Sequence, residues 1–218
     1  MTIGFIDNDI FLKLNVFHLF EEAIEVLGIS QDEIRLLHSA KHVFRSKRKK
    51  KKRPYSEETW SIAIEIAEKS TPLVRPDIND SEIIEELQQI DKFRDQIDEG
   101  ESILILAIRL CPSFLLLSGD KRCFKALPQL PPSMYGRLCG RVICLEQVVL
   151  TLIDTLGFEV VRDRIYPASA YDTAIKFCFG YSEPASEEST REALLSCIEE
   201  IQVFAPGLLW DLQGLQEP

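Results

Sequence analysis

The chain has 218 residues, of which 45% are hydrophobic, enough for a sizeable core and too many for wholesale disorder. No apolar run approaches the ~18 residues of a membrane span, and the start lacks the basic-then-apolar pattern of a secretory signal. The net charge is −10, yet nine of the 25 Lys and Arg residues fall between Lys41 and Arg53 with no acid among them, an asymmetry that marks a local polyanion-binding segment. The six cysteines contain no C-x-x-C pair and are expected to be free thiols of a reducing compartment, hence a cytoplasmic protein.

In chain order, residues 2–7 are predicted as a first strand ending in Asp7-Asn8-Asp9. One helical pattern then runs from Ile10 to Leu27 and stops at Gly28 as a C-cap should. Ser30 with Glu33 has the form of a capping box and predicts a helix through Ile34 and Leu36 to Phe44. The basic run, residues 45–53, buries nothing and is expected to be a loop or a frayed helix end. Ser56 and then Asp80 or Ser81 open further helices, with Thr71-Pro72 and Pro76 breaking the chain between them.

Asp98 followed by Glu101 predicts a helix start before Ile103 to Leu110. Phe114 to Leu117, bounded by Ser118-Gly119-Asp120, is a short apolar run of the kind that makes a buried strand. A short helix from Lys121, a rigid loop at Pro128, Pro131 and Pro132, a third strand at Val142 to Leu145 and an apolar helix from Glu146 to Leu156 follow. Beyond Gly157, Phe158 to Ile165 fits helix or strand, while Tyr171 to Phe179 and Thr190 to Phe204 look helical. The alternation implies an α/β fold with a parallel sheet over residues 1–155 and a mainly helical C-terminal extension over 156–218.

Two predicted strands deliver acids, Asp7 and Asp120, at their carboxyl ends, where open α/β sheets bind ligands. Glu101 opens the helix just before the second of them. Carboxylates gathered from separate elements suit Mg²⁺ or Mn²⁺, and such ions promote phosphoryl displacement. Acids in these places also serve simply as caps and turn formers.

Three stretches together resemble the PIN-domain ribonucleases: Ile3-Gly-Phe-Ile-Asp7-Asn-Asp9, Asp98-Glu-Gly-Glu101-Ser-Ile-Leu-Ile-Leu-Ala107, and Leu115-Leu-Leu-Ser118-Gly-Asp120-Lys-Arg122. Their order is also that family's order. The resemblance implies a three-layer α/β/α fold with a central parallel sheet. It further implies a Mg²⁺- or Mn²⁺-dependent cleft for single-stranded RNA, with Asp7, Glu101 and Asp120 as the catalytic, metal-binding acids. Ser118, Lys121 and Arg122 would then contact the substrate. Many members carry a fourth acid soon after the third, where this chain has Lys121, Arg122 and Cys123. Asp9 and Asp98 are the alternatives, Asp98 being more simply a helix cap.

The chemistry implied is endonucleolytic hydrolysis of RNA. A PIN-like module without catalysis, binding RNA or protein, is the alternative, and the toxin half of a toxin–antitoxin pair is a third reading. A homodimer or an antitoxin-like protein partner goes with these readings, and no membrane. The basic run would grip RNA phosphates, serve as a nuclear localisation signal, or simply be a solvated loop. His38 and His42 share a helix face and are expected to be a surface pair.

Overall fold

A computed structural model describes residues 2–48, 55–73, 76–77 and 79–211. It is a three-layer α/β/α fold around a five-stranded, all-parallel sheet, with a helical extension at its C-terminal end. The strands are β1 (Ile3–Ile6), β2 (Ile34–Leu36), β3 (Thr71–Pro72), β4 (Phe114–Leu117) and β5 (Val142–Ile143), in the spatial order β3-β2-β1-β4-β5. Chain direction across the sheet therefore reverses between β1 and β4, which lie side by side with Ile3 opposite Phe114 and Ile6 opposite Leu117. In open sheets a crevice forms at such a switch point, outside the carboxyl ends of the strands.

β4 is buried at every position, as a strand covered on both faces requires. At Gly4 of β1 a Cβ would stand 2.9 Å from Ile29 Cδ1, so the glycine lets that side chain approach closely. One apolar core runs through both halves of the chain, from Phe5 to Leu209.

The first helical pattern is broken in two. α1 (Asn8–Val16) and α2 (Phe20–Val26) are separated at His18, which takes a left-handed φ of 53°. The Arg164 guanidinium donates to the His18 carbonyl at 2.8 Å and pairs with Glu22, so a distant residue fixes the turn. The Ser30–Glu33 capping box exists, but it opens only a 3-10 turn at Gln31–Glu33 and then β2. Ile34 and Leu36 are buried on either side of half-buried Arg35, a two-residue period that suits a strand, so the predicted helix begins later, as α3 (Ala40–Arg48). Thr71-Pro72 does end α4 (Glu57–Lys69), and it also forms edge strand β3, where proline's missing N–H is tolerated.

Arg45 and Arg48 lie within α3 and pair with Glu68 and Glu57 of α4. The rest of the basic run, residues 49–53, lies outside the described residues. α5 (Ser81–Asp91), α6 (Glu99–Ala107), α7 (Lys121–Ala126) and α9 (Leu145–Leu156) follow the predicted positions, Asp80 capping α5. The proline-rich loop yields to α8 (Pro132–Leu138), whose first residue is the one helical position where proline costs nothing.

The extension consists of α10 (Phe158–Ile165), α11 (Thr173–Phe179) and α12 (Glu187–Phe204), with α10 and α12 packed on α9 and α11 on α12. Residues 207–210 then run beside β5, the Trp210 N–H donating to the Val142 carbonyl at 2.8 Å. Among the described residues no helix is long and apolar enough to cross a membrane. All six cysteines are free thiols.

Candidate active site

The carboxyl edge of the sheet opens into a cleft of about 1110 Å³. Small-molecule pockets usually hold about 300–1,000 Å³, so this one has room for a section of polymer. Asp7, Asp98, Glu101, Asp120 and Glu146 all line it. Every strand that contributes an acid does so by ending there, and the two aspartates after β1 and β4 flank the switch point.

Asp7 caps α1, accepting from the Asp9 N–H at 3.3 Å, while its own N–H donates to the Leu117 carbonyl at 2.9 Å and ties the ends of β1 and β4 together. Burial, reinforced by the charges of Asp9 and Asp98, pushes its carboxyl up to about 6. Glu101 is 5% exposed. Its Oε2 accepts the Asp98 N–H at 2.8 Å, and Asp98 Oδ1 accepts the Glu101 N–H at 2.8 Å, the capping box the sequence announces. Burial first, then the charges of Asp98, Asp120 and Asp7, push the Glu101 carboxyl up to about 8 against the pull of that cap. Glu101 is thus close enough to feel the charges of both Asp7 and Asp120.

Asp120 caps α7 and is gripped by Arg122, Nη2 to Oδ2 at 2.7 Å. Burial raises its carboxyl, but the bonds from Arg122 outweigh that and hold it below the usual value. Ser118 is buried at the end of β4 instead of lining the cleft, and its Oγ has no hydrogen-bond partner among the described residues. Lys121 lines the cleft and pairs with Glu200 of α12 at 2.8 Å. Arg122 is exposed and does not line the cleft. Asp9 is engaged by Lys13 at 2.5 Å. His38 and His42 are exposed, with ring centres 6.5 Å apart.

Four participants escaped the sequence reading. Glu146, also 5% exposed, follows β5 in the first turn of α9 and supplies a further acid to the cleft. The signal was there, a short apolar strand followed within three residues by an acid, as at Asp7 and Asp120. Lys13 and Asp172 form a second ion pair at 2.7 Å inside the cleft, joining α1 to the cap of α11. Burial opposes the Lys13 charge, but Asp172 and Asp9 more than offset it and hold the ammonium well above its ordinary value. Asn8 lines the cleft with a buried Oδ1 that has no hydrogen-bond partner among the described residues.

Carboxylates and an unsatisfied amide oxygen are the donor chemistry of a hard divalent cation, which typically takes one or two carboxylates and completes its shell with water. As placed, no three acidic, histidine or cysteine side chains among the described residues form a chelating cluster. Glu101 holds its cap and Asp120 holds Arg122. Asp7, Glu101 and Asp120 carry the oxygens in the cleft that could hold such a cation.

No protein-family model matches the chain, no curated protein is detectably similar to it, and no solved structure matches it.

Proposed function

We propose that the cleft is the active centre of an endoribonuclease that hydrolyses single-stranded RNA with Mg²⁺ or Mn²⁺. One observation carries the reading: carboxyls from the ends of β1 and β4 and the start of α6 line one cleft at the switch point, two of them pushed up to about 6 and about 8. Buried acids with raised pKa values in a cleft are candidates for a functional site. The three motifs resembling PIN-domain ribonucleases, in order, point the same way.

A bound divalent ion would supply Lewis acidity at the phosphate and activate water for in-line attack. Asp7 and Asp120 would hold it from the two strand ends, and Glu101, its carboxyl pushed up to about 8, would join them from the start of α6. Lys121 offers positive charge to the phosphate at the rim.

The test is cleavage of a labelled single-stranded RNA in Mn²⁺ and in EDTA, comparing the protein with its Asp7→Asn variant. Cleavage that needs the metal and disappears in the variant supports the reading. No cleavage by either on a varied RNA pool sinks it. A second reading, a module that binds RNA or protein without cutting, is favoured by Arg122 occupying Asp120. Metal affinity retained with cleavage abolished by Asp120→Asn rules that second reading out.

A further inference from the structure

We propose that Tyr171, backed by Tyr55, is the stacking platform for one unpaired nucleobase of the strand that enters the cleft. The inference rests on the nuclease reading of that cleft and adds what recognises the substrate beside the reacting phosphate. Both tyrosines line the cleft together with the acids. Their ring centres lie 4.9 Å apart with planes tilted by 40°. Tyr171 is 38% exposed and lines the cleft. Tyr55 is edge-on to the fully buried Trp60 at 5.3 Å, and Trp60 leads on to Phe44 and Phe11 of the core.

The platform is therefore anchored before any ligand arrives, and little ordering remains to be lost on binding. It is also tied to the acids. Asp172, the next residue, caps α11 through the Ile175 N–H at 2.8 Å and pairs with Lys13 on α1, the helix that Asp7 caps.

The charge in the cleft favours such a platform. Asp7, Asp98, Asp120 and Glu146 repel a phosphodiester except where a cation sits, and the cleft's Lys13 and Lys121 are already paired with Asp172 and Glu200. An aromatic face gives affinity without charge, because every base has a π-face to stack. A duplex keeps its bases paired and stacked on each other, so it offers the platform nothing. Preference for single strands then follows from Tyr171, with purines above pyrimidines because their stacking surface is larger.

The experiment measures fluorescence anisotropy of a short labelled unstructured RNA in Ca²⁺, with the RNA checked intact afterwards. The same RNA annealed to its complement, and the same RNA carrying a single abasic nucleotide, are compared. Tyr171→Ala is expected to weaken single-strand binding by roughly tenfold and to erase most of the preference over duplex, while Tyr171→Phe stays within about twofold of the unaltered protein. One abasic position should lose affinity in the unaltered protein and lose no more in Tyr171→Ala. If the protein prefers single strands and Tyr171→Ala does so equally well, the platform is overturned and the nuclease reading stands. If the unaltered protein binds no RNA in the presence of cation, both fall. Tyr171→Phe separates stacking from misfolding, since it keeps the ring and loses only the hydroxyl.

Discussion

Glu101 and Asp98 hold each other by two reciprocal bonds, each carboxylate accepting the other's backbone N–H at 2.8 Å. The pair fixes the start of α6 and leaves a buried carboxyl facing other acids. Glu101→Gln keeps an acceptor for the cap and removes the charge. Each pKa unit is worth about 1.4 kcal/mol, so even after relaxation the variant should gain about 3 kcal/mol of metal-free stability near pH 8.5 and nothing near pH 4. Glu101→Ala should fall below Glu101→Gln by about 1–2 kcal/mol because the cap acceptor is gone. Urea denaturation of the three proteins at both pH values measures this, and a Glu101→Gln gain that does not grow with pH would show that the carboxyl carries no burial penalty.

The same shifts set the response of the unaltered protein to pH. Asp7 and Glu101 have folded values raised above their ordinary 3.8 and 4.5, to about 6 and about 8. The folded state binds these protons more tightly, so their contribution to stability is complete at low pH and is lost as pH rises through about 6 and then about 8. A cation competes for the same oxygens. The melting temperature of the metal-free protein should fall between about pH 5 and about pH 9, and Mn²⁺ should raise it markedly at the upper value and little at the lower. Equal Mn²⁺ stabilisation at both ends would remove these two carboxyls from the ligand set.

The strands that carry the site were legible in the sequence, and those that flank it were not. β1 and β4 are apolar runs cut off by small polar residues, and both face helices on either side, so composition alone marks them. β2 and β3 have three and two residues, so the alternation of β2 spans a single repeat and β3 has none, and the capping box at Ser30 imitates a helix start. Of the cleft, Asp7, Glu101 and Asp120 were found because each sits next to an element boundary. Glu146 was hidden by the apolar helix it opens, and the Lys13–Asp172 pair joins residues too far apart in sequence for any local pattern to connect.

Arg122 would compete with a cation for Asp120. Its side chain is 72% exposed, so water screens the pair and leaves it weak. Arg122→Gln should therefore tighten Mn²⁺ binding by up to about fivefold, with little change in melting temperature. Isothermal titration with the metal alone reads the effect. Unchanged affinity would mean that Asp120 is not a ligand, and weaker affinity that Arg122 orders the site instead of blocking it.

Lys13 neutralises two carboxylates inside the cleft, Asp9 at 2.5 Å and Asp172 at 2.7 Å. Its side chain and that of Asp172 are 12% and 13% exposed, so the pair is largely sheltered from water. Lys13→Met keeps the length and apolar stem of the side chain but strands the Asp172 charge. Breaking a buried pair from one side typically costs about 3–5 kcal/mol, most of it the penalty of the abandoned ion. Thermal denaturation of the variant and the unaltered protein measures the loss: a deficit of that size marks the stranded Asp172 charge, whereas one below about 1 kcal/mol would show that the pair contributes little. Because Asp172 follows Tyr171 directly, the variant should also loosen the tyrosine pair, visible as a change in the near-ultraviolet circular dichroism.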